Sequence, residues 1–233
     1  MTYSKTIVCL ANSRKMSGRC IAGKVCGAAA AGRWIRPVSE RETEELSDDE
    51  YRCEDGTHPA LLDIVWIPFK EPAPHACQTE NHVVDTSARW RKMGAFHWKY
   101  LDKLVDHDAE TLWANGCSSR GGVNDRVSTE EAAHLRGSLL FIKPQDLLIS
   151  VATEEEAFGK KRRRLRAAFR YCDVQYSLRV PDPVFEETYF SKDDGAYAVP
   201  EAYICVSLGE PFEGFRYKLV AAIITPERAQ GDP

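Results

Sequence analysis

The length and spacing of the apolar runs constrain the fold most. KTIVCLA at 5–11, GRCIAGKV at 18–25, GRWIRPVS at 32–39 and LLDIVWIPF at 61–69 are all shorter than ten residues. They carry β-branched and aromatic side chains and are bounded by Gly, Pro, Asn or Ser, the pattern of short strands closed by turns. A first turn is expected between Asn12 or Ser13 and Gly18. The second half repeats the pattern in SLLFIKP at 138–144, LLISVA at 147–152, AYICVSLG at 202–209 and YKLVAAIIT at 217–225, the last two joined by EPFEGF. RRLRAAFRYCDVQYSLRV at 163–180 alternates over most of its length, as one strand or as two with a bend near Cys172 and Asp173.

Helical signals are few and short. LSDDE at 46–50 has the serine cap and acidic first turn of a helix start. WRKMGAFHWKYLDKLV at 90–105 sets Met93, His97 or Trp98, Leu101 and Leu104 at helical spacing, which predicts an amphipathic helix. STEEAAHLRG at 128–137 predicts a short helix capped by Ser128, with Glu131 completing the cap and Gly137 at the end. A doubly wound α/β fold needs helices of roughly ten to fifteen residues between its parallel strands, and the chain lacks them. The predicted fold is therefore mainly β: two small barrels of about five strands each, with short connecting helices. We place the first domain at 1–88, a helical connector at 89–115 and the second domain at 116–233. Pro68 puts the end of its strand near a sheet edge. Pro72 and Pro74 make KEPAPHACQTENHVVD an extended connector that leaves the first domain.

Composition narrows the function classes. At 233 residues and 43 % hydrophobic, the chain can bury a real core. No window approaches the roughly eighteen apolar residues of a membrane span, and the first apolar run is too short for a signal-peptide core. A cytoplasmic protein with no membrane partner is expected. None of the eight cysteines forms a CxxC pair, and Cys20 and Cys26 are too far apart for a usual zinc turn. Free thiols, buried or half-buried, are expected, with no metal, no cofactor and no disulfide.

Charge is distributed unevenly. The net charge is -4, yet residues 1–39 hold seven Lys or Arg and no acid, whereas residues 40–55 hold nine acids against Arg41 and Arg52. A second basic block runs from Lys160 to Arg170, seven cations in eleven positions. Such blocks repel themselves unless a polyanion or nearby carboxylates offset them.

The first block offers Ser13, Arg14, Lys15, Arg19, Arg33, Trp34 and Arg36. A small barrel binds a single strand by pairing a positive groove with aromatic stacking platforms. In a strand, Trp34 and Arg36 share a face, so they suit a base and its phosphate. The alternative is a core tryptophan with solvated arginines. In the second block, alternation sets Arg164, Arg166 and Arg170 toward solvent and Leu165, Ala167, Phe169 and Tyr171 toward the core, with Lys160 to Arg163 in the preceding loop. That row contacts phosphate, forms a solvated edge, or pairs with the acidic insert.

Two loops complete the candidates. His75, Thr79, Glu80, Asn81 and His82 combine histidine with a carboxylate. Histidine near a carboxylate can do acid–base work; the H-x6-H spacing matches no recognised metal pattern, and the alternatives are that Glu80 and Asn81 read a base edge or that the segment fixes the connector. Ser118, Ser119, Arg120, Gly121, Gly122, Asn124, Asp125 and Arg126 combine a glycine pair with two arginines, which lets backbone amides approach a phosphate. The loop lacks the G-K-[ST] end of a Walker A motif and serves otherwise as a turn into the helix at 128.

KTIVCLANSRKMSGRCIAG followed by GRWIRPVS, with PHACQTENH, GCSSRGGVNDRV and SLGEPFEGFRYKLVAAII further on, resembles the bacterial family described as dual OB-containing domains. The resemblance implies that both barrels are OB-like. It also implies a role in nucleic-acid or nucleotide recognition, within defence-related gene neighbourhoods, and brings no catalytic residue set.

No G-x-S-x-G, H-E-x-x-H or backed carboxylate pair is present. The reading is a module for single-stranded nucleic acid or a modified nucleotide. Two alternatives stand beside it: a nucleotide-directed enzyme whose cleft is built from 75–82 and 118–126, and an adaptor that meets a protein partner through its aromatics and acidic insert.

Overall fold

The structure is a computed structural model that describes residues 2–27, 32–155 and 161–230. Strand makes up 50 % and helix 11 %, a mainly β protein. It divides into two compact units, Met1–Leu104 with Arg136–Ser138 and Pro226–Pro233, and Val105–Leu135 with Leu139–Thr225.

The first unit is built from β1 (Tyr3–Lys15), β2 (Gly18–Val25), β3 (Trp34–Val38), β4 (Asp63–Pro72), β5 (Asn81–Val84) and β6 (Arg91–Ala95). The strands run in the order β1-β2-β3-β5-β4, and β4 pairs back onto β1, so the five form a closed barrel. All neighbours are antiparallel except β3 and β5. The length of β1 makes closure possible. Tyr3 to Val8 pair with Phe69 to Ile64 of β4, and Ile7 to Lys15 pair with Val25 to Gly18 of β2. A bulge between Cys9 and Ala11 bends the strand between its two partners. Gly23 sits on this bend, where a Cβ would lie 2.1 Å from the Val8 carbonyl oxygen. Alternate residues point inward: Ile7, Cys9, Ile21, Ile35, Val65, Ile67, Phe69 and Trp90 form one core cluster. Complete burial of a side chain such as Ile67 contributes about 1.5–3 kcal/mol.

Several local expectations change in this unit. The first turn falls at Met16 and Ser17, because β1 runs on to Lys15. Pro68 is not at an edge; it lies opposite Ser4 within the barrel. A strand residue's N–H and C=O point the same way, and the Pro68 carbonyl accepts from Asp85 N at 3.0 Å. The missing donor therefore faces the end of β5, where the ladder already stops. The Pro72–His82 stretch does not leave the barrel, since β4 continues to Pro72 and β5 begins at Asn81. At 46–50 no helix propagates: Ser47 N and Oγ donate to the Glu50 carboxylate at 2.8 and 2.7 Å, closing a single turn. The helix expected over 90–105 is strand β6, paired with β4, followed by a 3-10 helix at Trp98–Leu104. The helical spacing had no core to face, because Met93 is 60 % exposed and only Leu101 of the 3-10 helix is buried. Gly94 also has a φ of 143°, outside any helix.

The second unit contains β7 (Arg126–Ser128), β8 (Leu139–Ile142), β9 (Gln145–Glu155), β10 (Lys161–Tyr171), β11 (Val174–Arg179), β12 (Gly195–Ala198), β13 (Tyr203–Phe212) and β14 (Phe215–Ile224). Its helices are α1 (Thr129–Ala132) and α2 (Pro183–Phe190). The sheet order is β12-β9-β10-β11-β14-β13-β8, with β7 on β14. Within it, β9-β10-β11-β14-β13 repeats the path of the first barrel, including a parallel contact between its third and fifth strands, Arg179 opposite Leu219. The two ends of this path carry β12 and β8. The expected bend at Cys172 and Asp173 is a two-residue turn with φ 45° and 61°, and Glu213–Gly214 forms another with φ 49° and 80°. Ser128 caps α1 as expected, but the helix spans one turn and ends before Gly137. Asp182 caps α2, accepting from Val184 N at 3.1 Å, with Pro183 in the first turn.

Candidate nucleic-acid interface

In an OB barrel the outer face of strands two and three and the loops joining strands one to two and four to five hold the ligand. In the first unit these are β2–β3, the turn at Met16–Ser17 and the loop between Pro72 and Asn81. Most first-block candidates fall here. Arg14 lies directly opposite Arg19 across the β1–β2 ladder, and Lys15 opposite Gly18. Like charges so placed destabilise a hairpin. Lys15 has Glu44 at 3.8 Å. Met16, 75 % exposed, stands at the tip with φ 50°. Gly18 is required, because a Cβ would meet the Leu46 carbonyl oxygen at 2.3 Å. Ser13 is buried.

β3 separates its two candidates. Trp34 is half-buried, with the Lys24 ammonium 5.2 Å from its ring centre. Lys24 is itself buried and donates to the Leu104 carbonyl at 2.7 Å. Arg33 is exposed just before the strand. Arg36 is buried: its guanidinium lies 3.2 Å from the Glu80 carboxylate and donates to Ser138 Oγ at 2.8 Å and Asn81 Oδ1 at 3.4 Å. Trp34 and Arg36 thus do not form one solvent-facing pair, because a carboxylate and the 136–138 segment cover the arginine.

The β4–β5 loop splits in the same way. His75 is exposed at a tight turn in which His75 and Gln78 exchange backbone bonds. Glu80 and Asn81 are buried around Arg36, with Ser138 Oγ donating to Glu80 in a short bond and Asn81 Nδ2 donating to Gln78 Oε1 at 3.1 Å. Thr79 ties the loop to the Arg136 carbonyl at 2.8 Å. These polar groups fix the loop. His82 Nδ1 and the Tyr3 hydroxyl share a short hydrogen bond. Burial, with a smaller push from Lys5, lowers its pKa to about 4, so it is neutral at physiological pH.

The acidic insert has its own partners. Lys70 holds Glu40 at 2.7 Å, Arg41 holds Glu50 at 3.0 Å and Arg89 holds Asp49 at 2.9 Å.

In the second unit the predicted alternation of β10 holds for Leu165, Ala167, Phe169 and Tyr171, which enter the core. Arg163 and its neighbours are strand rather than loop from Lys161 onward; Lys160 lies outside the described residues. The basic face is partly neutralised. Arg166 makes two bonds to Glu154, at 2.6 and 3.2 Å, and has Asp125 at 3.8 Å. Arg170 holds Asp146 at 2.8 Å. Arg164 faces a cleft shared with Arg179 and Glu186.

The 118–126 loop spends its polar groups on its own shape. Asp125 is buried and accepts from Ser119 N at 2.7 Å and Ser119 Oγ at 2.5 Å. Gly122 packs on that carboxylate, where a Cβ would sit 1.9 Å from Oδ2. Asn124, at φ 49°, receives Gly116 N at 2.8 Å and donates to the Gln175 carbonyl at 3.0 Å. Arg126 covers the Phe215 ring at 4.0 Å, and Arg120 is exposed. The two segments offered as an enzyme cleft belong to different units, 75–82 to the first and 118–126 to the second.

The strand path, the parallel third and fifth strands and their repetition agree with one family model. The model described as the dual OB-containing domain matches residues 5–223. The chain belongs to the dual OB-containing domain family. No curated protein and no solved structure matches it. For a dual OB protein, the missed groups are informative. Arg179 continues the alternation of QYSLRV, and Glu186 follows the Asp182–Pro183 helix start. That dipeptide reads equally well as the end of a strand, which hid the helix.

Proposed function

We propose that this dual OB protein is a non-catalytic module that binds single-stranded nucleic acid or a modified nucleotide. The observation that carries the reading is the β1–β2 hairpin of the first barrel. Arg14 and Arg19 stand opposite each other, with Lys15 beside them, next to an exposed Met16. The three cations concentrate positive charge at the tip, with Glu44 3.8 Å from Lys15, and the tip sits on a loop that OB barrels use for ligands. Arg33 adds charge and Trp34 adds a ring for stacking. His75, on the second ligand loop, and Arg120 are further contacts on their own units. Arg36, Glu80, Asn81, Asn124 and Asp125 position loops rather than touch ligand. Arg164, Arg170 and Arg126 are the candidate contacts of the second unit, whereas Arg166, expected to face solvent, is buried against Glu154 and Asp125. The defence-related setting rests on the family resemblance alone.

The test is anisotropy titration of labelled oligothymidylate and oligouridylate at low salt. Base–aromatic stacking contributes about 1–3 kcal/mol, so Trp34→Ala should weaken binding roughly five- to hundred-fold. Absence of tight binding to DNA, RNA and free nucleotides alike sinks the reading.

A further inference from the structure

The second unit holds a concavity of about 210 Å³ on the outer face of β10, β11 and β14. Arg164, Arg179 and Glu186 supply its charge, and Val180, Pro181 and Leu219 its apolar wall. The placement follows from the register. Arg179 is opposite Arg166 on β10, and Arg164 is two residues before Arg166, so all three guanidiniums emerge on one face. Leu219 is opposite Arg179 on the other side, and α2 brings Glu186 over the strands. Arg166 is settled by two bonds to Glu154 and by Asp125. Two guanidiniums and the Glu186 carboxylate line the cleft, beside apolar surface that strengthens any charge pairing made there.

The electrostatics agree with the geometry. Partial burial lowers the pKa of both arginines, with the charge of Arg179 adding to the effect at Arg164 and that of Arg166 at Arg179; Glu154, and to a smaller extent Glu186, act in the opposite sense on both. The volume is below the roughly 300 Å³ at which pockets for whole drug-sized ligands begin. That suits one phosphate-bearing unit rather than a run of nucleotides. Paired guanidiniums match a phosphate through parallel N–H···O bonds.

We propose that this cleft is a phosphate site of the second unit, in which one phosphate of a nucleotide or strand takes the two guanidiniums of Arg164 and Arg179 in competition with Glu186. The proposal rests on the nucleic-acid or nucleotide reading and specifies where the second unit grips its ligand. Glu186 acts as a built-in competitor that keeps the arginines occupied and rejects weak anions.

The test is phosphorus NMR titration of the full chain with inorganic phosphate and with thymidine 5′-monophosphate, beside anisotropy with oligothymidylate. Arg164→Gln combined with Arg179→Gln should weaken the responding probe about tenfold or more, whereas Glu186→Gln should tighten it about threefold. These opposite signs separate a binding role from loss of fold. A monophosphate response identifies a free nucleotide as the source, and a response with oligothymidylate alone identifies a strand phosphate. If oligothymidylate binds and depends on the first unit while Arg179→Gln and Glu186→Gln change no probe, the cleft proposal falls and the general reading stands. If no probe binds, both fall.

Discussion

Replacing Arg36 by Met tests whether this arginine supports the barrel or touches a ligand. Arg36 is 3 % exposed and Glu80 is 6 % exposed, with 3.2 Å between their charges. Removing the cation leaves Glu80 buried, with Ser138 N and Oγ donating to its carboxylate. Breaking one side of a buried ion pair costs about 3–5 kcal/mol, because the remaining charge is uncompensated. Replacing both sides with apolar residues of similar volume is often close to neutral. Arg36→Met should therefore lose about 3–5 kcal/mol, and Arg36→Met with Glu80→Leu should recover most of it. Urea unfolding followed by tryptophan fluorescence is a suitable assay, since Trp34, Trp66, Trp90 and Trp98 lie in the first unit and only Trp113 in the second. A single variant within about 1 kcal/mol of the parent, coupled with lost oligonucleotide binding, would refute the structural role and return Arg36 to the ligand surface.

Two further perturbations follow from the geometry. Gly122→Ala should push Asp125 off Ser119 and cost about 1.5–3 kcal/mol, the worth of hydrogen bonds to a charged group; faster hydrogen exchange at the Ser119 amide is the expected readout, and unchanged exchange counts against the account. His82 has a folded pKa of about 4 against the ordinary 6.5, so the unfolded chain binds the proton more readily. Stability should fall as pH drops below about 6.5 and level off near pH 4. After discounting for partial solvent screening the loss is about 1–2 kcal/mol. His82→Asn should flatten that part of the profile; an identical acid limb in both proteins would contradict it.

Much of the fold is legible in local pattern. The β2 and β3 runs, the turn at Cys172 and Asp173 and the Ser128 cap each follow from short-range sterics or hydrogen bonding. Tertiary partners decide the rest. Arg91–Ala95 has helical spacing yet becomes a strand, because the open edge of β4 offers backbone bonds and Arg91 lies 4.1 Å over the Trp66 ring. The candidate site divides for the same reason. Alternation correctly set Leu165 and Phe169 inward, but it could not reveal that Glu80 covers Arg36 or that Glu154 holds Arg166. Those pairings join residues 44 and 12 positions apart, and no periodicity encodes them.

The central claim is that the first barrel binds a polyanion through its β1–β2 hairpin. The most direct measurement is the salt dependence of oligothymidylate affinity between about 50 and 200 mM salt, for the parent and for the combined Arg14→Gln, Lys15→Gln and Arg19→Gln variant. Single-strand binding loses about 0.7 in logarithmic slope for each phosphate neutralised. The account predicts that the variant binds more weakly and that its slope is shallower by about 2. An unchanged slope in a folded variant would contradict it.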